Sequence, residues 1–556
     1  MTSLLDDALH YIGKYGRYQV FACIIITIIG AWFPPLHIMG AIFSADRPLS
    51  YQCIQWSDAG GNIVGSRPEK ETTRVELSSD DVITSDECTG SLGFNNKSSE
   101  EVVCTNWKYE TEYNESTIVT QLDLVCDRKI LVELSQTFLL FGMLVGSLMF
   151  GYLSDTFGRK RTLLGACLAN GVIGIGVSFV WNYLGIVALW FLVGVCAQGY
   201  NQVQFVTIME MFPPECRTLL GSCNTMFWGV GVASIAPIAY ILRNWRDMQI
   251  AISVLCFVAV PLFCIIDDSV RWLLSTGRTD DAIIVINKMA RCNGIAPPPG
   301  GFVLTKAQQD DDDLQQHDED SSDANGDVTE TPQTKEQIIA SCRVKDVFKN
   351  RRVLLNMCVV MFMWLTSTMT YYGASINSTN LAGNKYINFS LLGLAEVPGY
   401  ILIFFTMTWW GRRPSLSLFF FIAGAASFTT AFLPAKSENG TDLTVVIIAV
   451  AVLVKLFIVC AYTINLICCT ELLPTPLRNF GFGIGSVFGS IGFMVAPFVL
   501  YLADFAEYLP LSIFGGLCII SSLLVFALPE TKDNPLPETM EEAANIGRRA
   551  PKGGQE

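Results

Sequence analysis

The segment AQGYNQVQFVTIMEMF (197–212) follows directly on LGIVALWFLVGVC (184–196), an unbroken apolar run. Gln198, Asn201, Gln202 and Phe205 are spaced i, i+3, i+4, i+7, so a helix puts them on one face. Asn224 and Trp228 share a face in a second apolar run. Trp364 and Tyr371 do so in a third, with Tyr372 beside them. Two opposite charges also stand inside apolar runs: Glu396 in LLGLAEVPGYIL and Lys455 in AVLVKLFIVC, with Thr463 two turns beyond the lysine. None of these groupings makes or breaks bonds. They contain no nucleophile–base pair and no metal-ligand spacing, and His10, His37 and His317 lie far apart. Neither an enzyme nor a metal site is expected. Inside an apolar phase such groups can hold a solute. Amides hydrogen-bond it, aromatic faces attract an organic cation through the ring quadrupole, and an ionisable group in a membrane is a functional candidate with a partner. Each has a structural alternative. The amides can bond between helices, the tyrosines can form an interfacial belt, and Glu396 with Lys455 can be a permanent pair. His37 is either a proton-sensitive group or a hydrogen-bonded packing residue.

The elements that must position these residues are apolar helices. The chain has 556 residues, 51% hydrophobic and only 16% charged, whereas soluble domains carry charge at about a quarter of positions. A span needs about 20 apolar residues. Twelve spans are predicted: 18–43, 131–154, 162–181, 184–208, 218–242, 248–266, 353–374, 387–409, 415–434, 443–469, 480–502 and 508–528. The first apolar run is of full span length after a polar start, so no cleavable signal is expected. The formal net charge of -14 comes largely from soluble segments, above all DDDDLQQHDEDSSDANGD (310–327), which reads as solvated and disordered. It does not point to nucleic acid.

Basic residues in the short connections set the orientation. Lys14, Arg17, Arg159 to Arg161, Arg217, Arg412, Arg413 and Arg478 fall on one side, which should be cytoplasmic. Segment 44–130 then faces outward, and its four cysteines, Cys53, Cys88, Cys104 and Cys126, suit an oxidising compartment. Their three possible pairings stay open. Sequons at Asn96, Asn114 and Asn439 fall on the same outer side. The N-terminus (1–17), the connection 267–352 and the tail 529–556 are placed inside.

Two patterns occur twice. EMFPPECR (210–217) and ELLPTPLR (471–478) share E-x-x-P-x-x-x-R, while GYLSDTFGRKR (151–161) is echoed by TWWGRRP (408–414). The chain therefore reads as two parallel six-helix halves, with 131–266 completing the first and 353–528 forming the second. Asp155, Gly158, Arg159, Lys160, Glu210 and Arg217, with Gly411, Arg412, Arg413, Glu471 and Arg478, are candidates for charge networks that hold one conformation and break in another. Simple positive-inside anchoring is the alternative, but it needs no repeated pattern.

GYLSDTFGRKR resembles the signature loop of the major facilitator superfamily. STIVTQLDLVCDRK (116–129), VRWLLSTGR (270–278), ELLPTPLRNFG (471–481) and LPETKDNPLPE (528–538) are similar to solute carrier family 22, the organic cation, zwitterion/carnitine and organic anion transporters. The resemblance spans nearly the whole chain. It departs at DDSVRWLL, where relatives show Pro-Glu-Ser-Pro-Arg-Trp, and in the long acidic inner connection. It implies an all-α major facilitator fold of twelve transmembrane helices, with a large extracellular loop after the first and a long cytoplasmic loop after the sixth. It implies that Trp364 and Tyr371 line a substrate site, and that Glu396 and Lys455 match an acid and a base shared across substrate classes. Cation transporters carry an aspartate, and anion and several carnitine transporters an arginine, where this chain has Ser490. The expected activity is alternating-access transport of small organic cations or zwitterions across a plasma membrane. The partners are the solute and the bilayer; no cofactor is expected, and coupling to sodium or protons stays open. The rivals are an organic anion transporter and a transporter-like glycoprotein that no longer transports.

Overall fold

The apolar runs fold as helices, and among the described residues ten helical stretches are long and apolar enough to cross a membrane. The computed structural model describes residues 2–57, 63–66, 76–77, 82–85, 89–93, 99–263, 266–298, 302, 304, 344–434, 436, 442–474, 477–532, 537 and 539–546. The third and sixth predicted spans are helices too, Arg159–Val177 and Trp245–Phe263. We call the twelve in chain order the spanning helices. Helices 2, 4 and 5 are Ile130–Phe157, Tyr183–Met211 and Arg217–Ile241. Helices 7, 10 and 11 are Arg351–Asn377, Thr444–Glu471 and Arg478–Tyr501. Helix 9 is Arg412–Phe432 and helix 12 begins at Leu509–Leu524.

Two spans are interrupted, each for a local reason. Spanning helix 1 runs α-helical from Arg17–Thr27, passes through a π turn at Ile28–Trp32 and resumes at Phe33–Ser44. Pro34 and Pro35 lack the N–H groups that would continue the ladder, and a π turn absorbs the mismatch. The Gln204 side chain packs over Gly30 of that turn, where an added Cβ would lie 2.0 Å from Gln204 Cγ. Spanning helix 8 breaks between Lys385–Leu394 and Glu396–Trp409. Pro398 cannot donate to the Leu394 carbonyl, so the ladder loses a bond across the break at Ala395.

Between the first two spans the chain forms a six-stranded antiparallel sheet from β1 (Ser50–Ser57), β2 (Ile63–Ser66), β3 (Glu76–Leu77), β4 (Val82–Ser85), β5 (Thr89–Gly93) and β6 (Ser99–Glu110), in the order β3-β2-β1-β6-β5-β4. Its centre pairs β1 with β6, and the Cys53–Cys104 disulfide staples these two strands with Cα atoms 5.8 Å apart. Cys126 is disulfide-bonded as well. The sequence reading leaves this segment as a cysteine-bearing loop. Cys88, Asn96, Asn439 and the acidic stretch lie outside the described residues. Asn114 lies within them, exposed in a turn at φ 56.

At the opposite end, helices Val270–Ser275 and Thr279–Asn293 follow spanning helix 6. The N-terminal segment, read from sequence only as polar, is a helix over Thr2–Tyr11 that docks there: Arg271 pairs with Asp6, and Tyr11 meets Phe302 edge-on.

Candidate functional site

Among the polar residues of the spans are two networks and a set of unpartnered amides. The first network lies where the halves cross. Trp228 Nε1 of spanning helix 5 donates to Tyr371 Oη of spanning helix 7 at 3.0 Å, and Tyr371 Oη donates to Glu396 Oε1 at 2.8 Å. Lys455 Nζ of spanning helix 10 sits 3.4 Å from Glu396 Oε1, donates to Ser375 Oγ at 2.6 Å and lies 3.1 Å from the Tyr371 ring centroid. Glu396 and Lys455 are wholly buried. Glu396 Oε2 has no partner among the described residues. Gly229, facing it from spanning helix 5, is required by this crossing: an added Cβ would lie 2.9 Å from Glu396 Cβ. One acid and one base therefore neutralise each other in a place where either alone would be costly.

Trp364 lies on the same face of spanning helix 7, two turns from Tyr371. It is wedged edge-on between Tyr462 at 5.5 Å and Phe482 at 5.7 Å, over Gly485 and Gly489 of spanning helix 11. Its indole N–H is buried without a partner among the described residues. Tyr372 points elsewhere, fully buried against Phe493. Ser490 and Thr463 turn their hydroxyls back onto their own helices, to Ser486 and Val459 carbonyls.

On spanning helix 4, Gln198, Asn201 and Gln202 are partly accessible and make no side-chain hydrogen bond to any described residue. Gln202 Oε1 and Asn224 Oδ1 are buried and unpartnered. The helix–helix hydrogen bonds that would be their structural use are not made. Gln204, on the other side of the helix, was not singled out by the spacing; it is fully buried with neither side-chain atom paired. His37 packs between Gln249 and Cys256 in the first half, 2% exposed.

The second network is built twice, at the end opposite the sheet. Arg159 grips Glu210 through Nε at 3.1 Å and Nη2 at 2.9 Å, and also reaches Asp155 at 2.8 Å. Arg412 grips Glu471 in the same way, at 3.2 and 2.9 Å. Paired forks of this kind are among the stronger protein hydrogen bonds. So the acid of each E-x-x-P-x-x-x-R motif pairs with the arginine of the other repeated motif. Arg217 opens spanning helix 5, and Arg478 Nε donates to the Thr470 carbonyl. Each arginine is aimed by a glycine at positive φ, Gly158 at 95° and Gly411 at 93°, a conformation strained for other residues.

Sequence reasoning missed a third repeated part. Asp268 accepts from the Lys160 backbone N–H at 2.9 Å, and Glu530 accepts from those of Arg412 and Arg413 at 3.0 Å. These carboxylates satisfy open donors at the starts of spanning helices 3 and 9. The departure DDSVRWLL thus keeps an acid where the cap needs one.

Twelve spans in two halves, with duplicated arginine–glutamate locks, define a transporter of the major facilitator class. The Major Facilitator Superfamily model matches residues 129–497. The xylose transporter XylE from E. coli, in a partially occluded inward-open conformation, superposes with a TM-score of 0.59 at 14% identity, covering 93% of this chain and 100% of that one. An "Organic cation transporter protein" of Drosophila melanogaster is 30% identical over 98% of this chain and 95% of its own. Solute carrier family 22 member 3 of Rattus norvegicus is 31% identical over 98% and 96%. A "Beta-alanine transporter" of Drosophila melanogaster is 28% identical over 79% and 68%. The chain belongs to solute carrier family 22, and is a multi-pass membrane transporter of organic solutes rather than an enzyme.

Proposed function

We propose that this transporter moves small organic cations or zwitterions across the plasma membrane by alternating access, with the sheet end outside. The observation that carries this reading is the Trp228–Tyr371–Glu396–Lys455 chain, which joins the halves and is internally neutral. Spanning helix 11 adds no charge beside it, because Ser490 stands where the family resemblance implies an aspartate or an arginine. Selection then falls to aromatic faces and hydrogen bonds. Glu396 Oε2 is an open acceptor and Trp364 Nε1 an open donor, the two ends that an ammonium and a carboxylate would satisfy. The unpartnered amides of spanning helix 4 add a neutral wall. Among the relatives, one is named for organic cations and one for β-alanine, itself a zwitterion. The sidedness rests on the disulfide and the Asn114 sequon at one end and the basic locks at the other.

Ser490→Asp tests the selectivity argument. A charge-assisted hydrogen bond contributes about 1.5–3 kcal/mol, roughly tenfold or more in affinity. The ratio of cation to zwitterion uptake should rise by about that factor. An unchanged ratio would remove spanning helix 11 from substrate selection.

A further inference from the structure

At the sheet end, Lys385 begins spanning helix 8 in the second half, yet its Nζ lies 2.6 Å from Asp46 Oδ2 and bonds Glu115 Oε1, both from the first half. Asp46 directly follows spanning helix 1. Glu115 lies in the segment held to the connection between spanning helices 5 and 6 by the Ser116–Asn244 bridge. All three side chains are nearly buried, at 9–11% exposure. Tyr386, the next residue of the second half, stacks on Phe43 at 5.5 Å and meets Tyr113 and Tyr240 edge-on at 5.6 and 5.4 Å. Further in, Gly393 crosses Ala233 so closely that an added Cβ would lie 2.6 Å from the Ala233 nitrogen. A second bridge sits alongside, with Arg47 joining Glu133 to Asp504 at 2.7 and 2.9 Å. The locks at the other end do the opposite: Arg159–Glu210 stays within the first half and Arg412–Glu471 within the second. The halves are therefore shut at the sheet end in this structure.

We propose that Asp46, Glu115 and Lys385 are the outer gate of the transporter, and that the gate takes up an external proton when it closes. The proposal rests on the sidedness given above. Two carboxylates face one ammonium, so the closed triad carries a net negative charge out of water. A proton on Asp46 cancels it and leaves the Glu115–Lys385 pair intact. Arg243 lines the same cavity and keeps its charge, but it is exposed, donating to the Tyr113 carbonyl and lying over the Tyr240 ring, so solvent screens it from the nearly buried triad. The other titratable groups facing the triad are Tyr113, Tyr240 and Tyr386, with Glu112 beside Tyr113. Arg47 is engaged by Glu133 and Asp504. Burial pushes the Asp46 carboxyl above its ordinary value, against the pull of Lys385 and with a further push from Glu115. The sign follows: the closed state binds the proton more tightly than the open, solvated state does. Acid outside favours closure, and raising the pH favours opening.

The test places a cysteine at Ala239, which lines the cavity under the triad, and follows its labelling by a membrane-impermeant maleimide. In intact cells the rate, corrected for reagent ionisation with an exposed control cysteine, should fall on acidification by up to about tenfold per pH unit, the limit for one proton. Asp46→Asn should flatten this dependence and leave labelling slow at every pH. Lys385→Gln should speed labelling several-fold. The pH series on the Ala239→Cys protein alone decides the matter if the gate variants fail to reach the surface. A corrected rate independent of pH, in intact and permeabilised cells alike, would overturn the gate. pH-dependent labelling only after permeabilisation would instead overturn the sidedness and leave the triad as a gate facing the other way.

Discussion

Lys455→Met should be the most damaging single substitution in the spans. It leaves the Glu396 carboxylate wholly buried, with only the Tyr371 hydroxyl to stabilise it. Removing one partner of a buried ion pair costs about 3–5 kcal/mol, a large part of a typical folding free energy. The variant should lose most of its surface expression and melt at a lower temperature in detergent. Glu396→Gln in the same chain removes the orphaned charge, and the double variant should recover expression and thermal stability. It should not recover transport, because the open carboxylate oxygen proposed to meet the solute's ammonium is gone. Thermal melts of purified single and double variants, with uptake per surface molecule, check both statements. A Lys455→Met protein as stable as the parent would show that the pair is not held as the structure has it.

The second large effect is expected at Trp364. Truncating a large buried aromatic costs about 3–5 kcal/mol, so Trp364→Ala should lower surface expression as well as transport. Uptake must therefore be normalised to protein at the surface. A cation over a desolvated ring gains about 2 kcal/mol, roughly thirtyfold in affinity, and uptake per molecule should fall by at least tenfold at low solute concentration. Trp364→Phe keeps an aromatic face against Tyr462 and Phe482 but loses the indole N–H. It should keep most cation uptake while weakening zwitterion uptake more. Unchanged uptake per molecule in Trp364→Ala would remove this residue from the site.

Hydropathy made the spans legible to within a few residues, because a bilayer requires both length and apolarity of each helix. The duplicated motifs gave the two halves, since each half builds the same lock from the same local parts. The partners within the lock were not legible. Glu210 looks tied to Arg217 by its motif, yet it meets Arg159, because the turn at Gly158 brings the start of spanning helix 3 back to the end of spanning helix 4. Asp268 in DDSVRWLL and Glu530 in LPETKDNPLPE carry no local signal of their role, because the helix starts they cap lie far away in the chain. The sheet was hidden because β2 to β5 are short and the long central pair β1 and β6 is largely polar, with only Cys53 and Trp56 of β1 clearly buried beside its last residue.

Within the candidate site, spacing grouped residues on one helix but was silent on contacts between helices. It placed Trp228 and Tyr371 on plausible faces, and nothing in it showed that they hydrogen-bond across the halves. Lys385 shows the limit most plainly. A lysine at the start of a span reads as an anchor to the membrane surface. Its partners Asp46 and Glu115 are far away in the chain and are brought beside it by the fold.

The central claim is that a neutral, aromatic and amide-lined site carries small organic cations or zwitterions. It is tested most directly by an uptake panel in cells with the protein verified at the surface. The panel should span organic cations, carnitine-like zwitterions and organic anions, with and without sodium, at two external pH values. The account predicts saturable uptake of at least one cation or zwitterion, lost in Glu396→Gln/Lys455→Met. Saturable uptake of anions alone, or no saturable uptake of any solute, would contradict it.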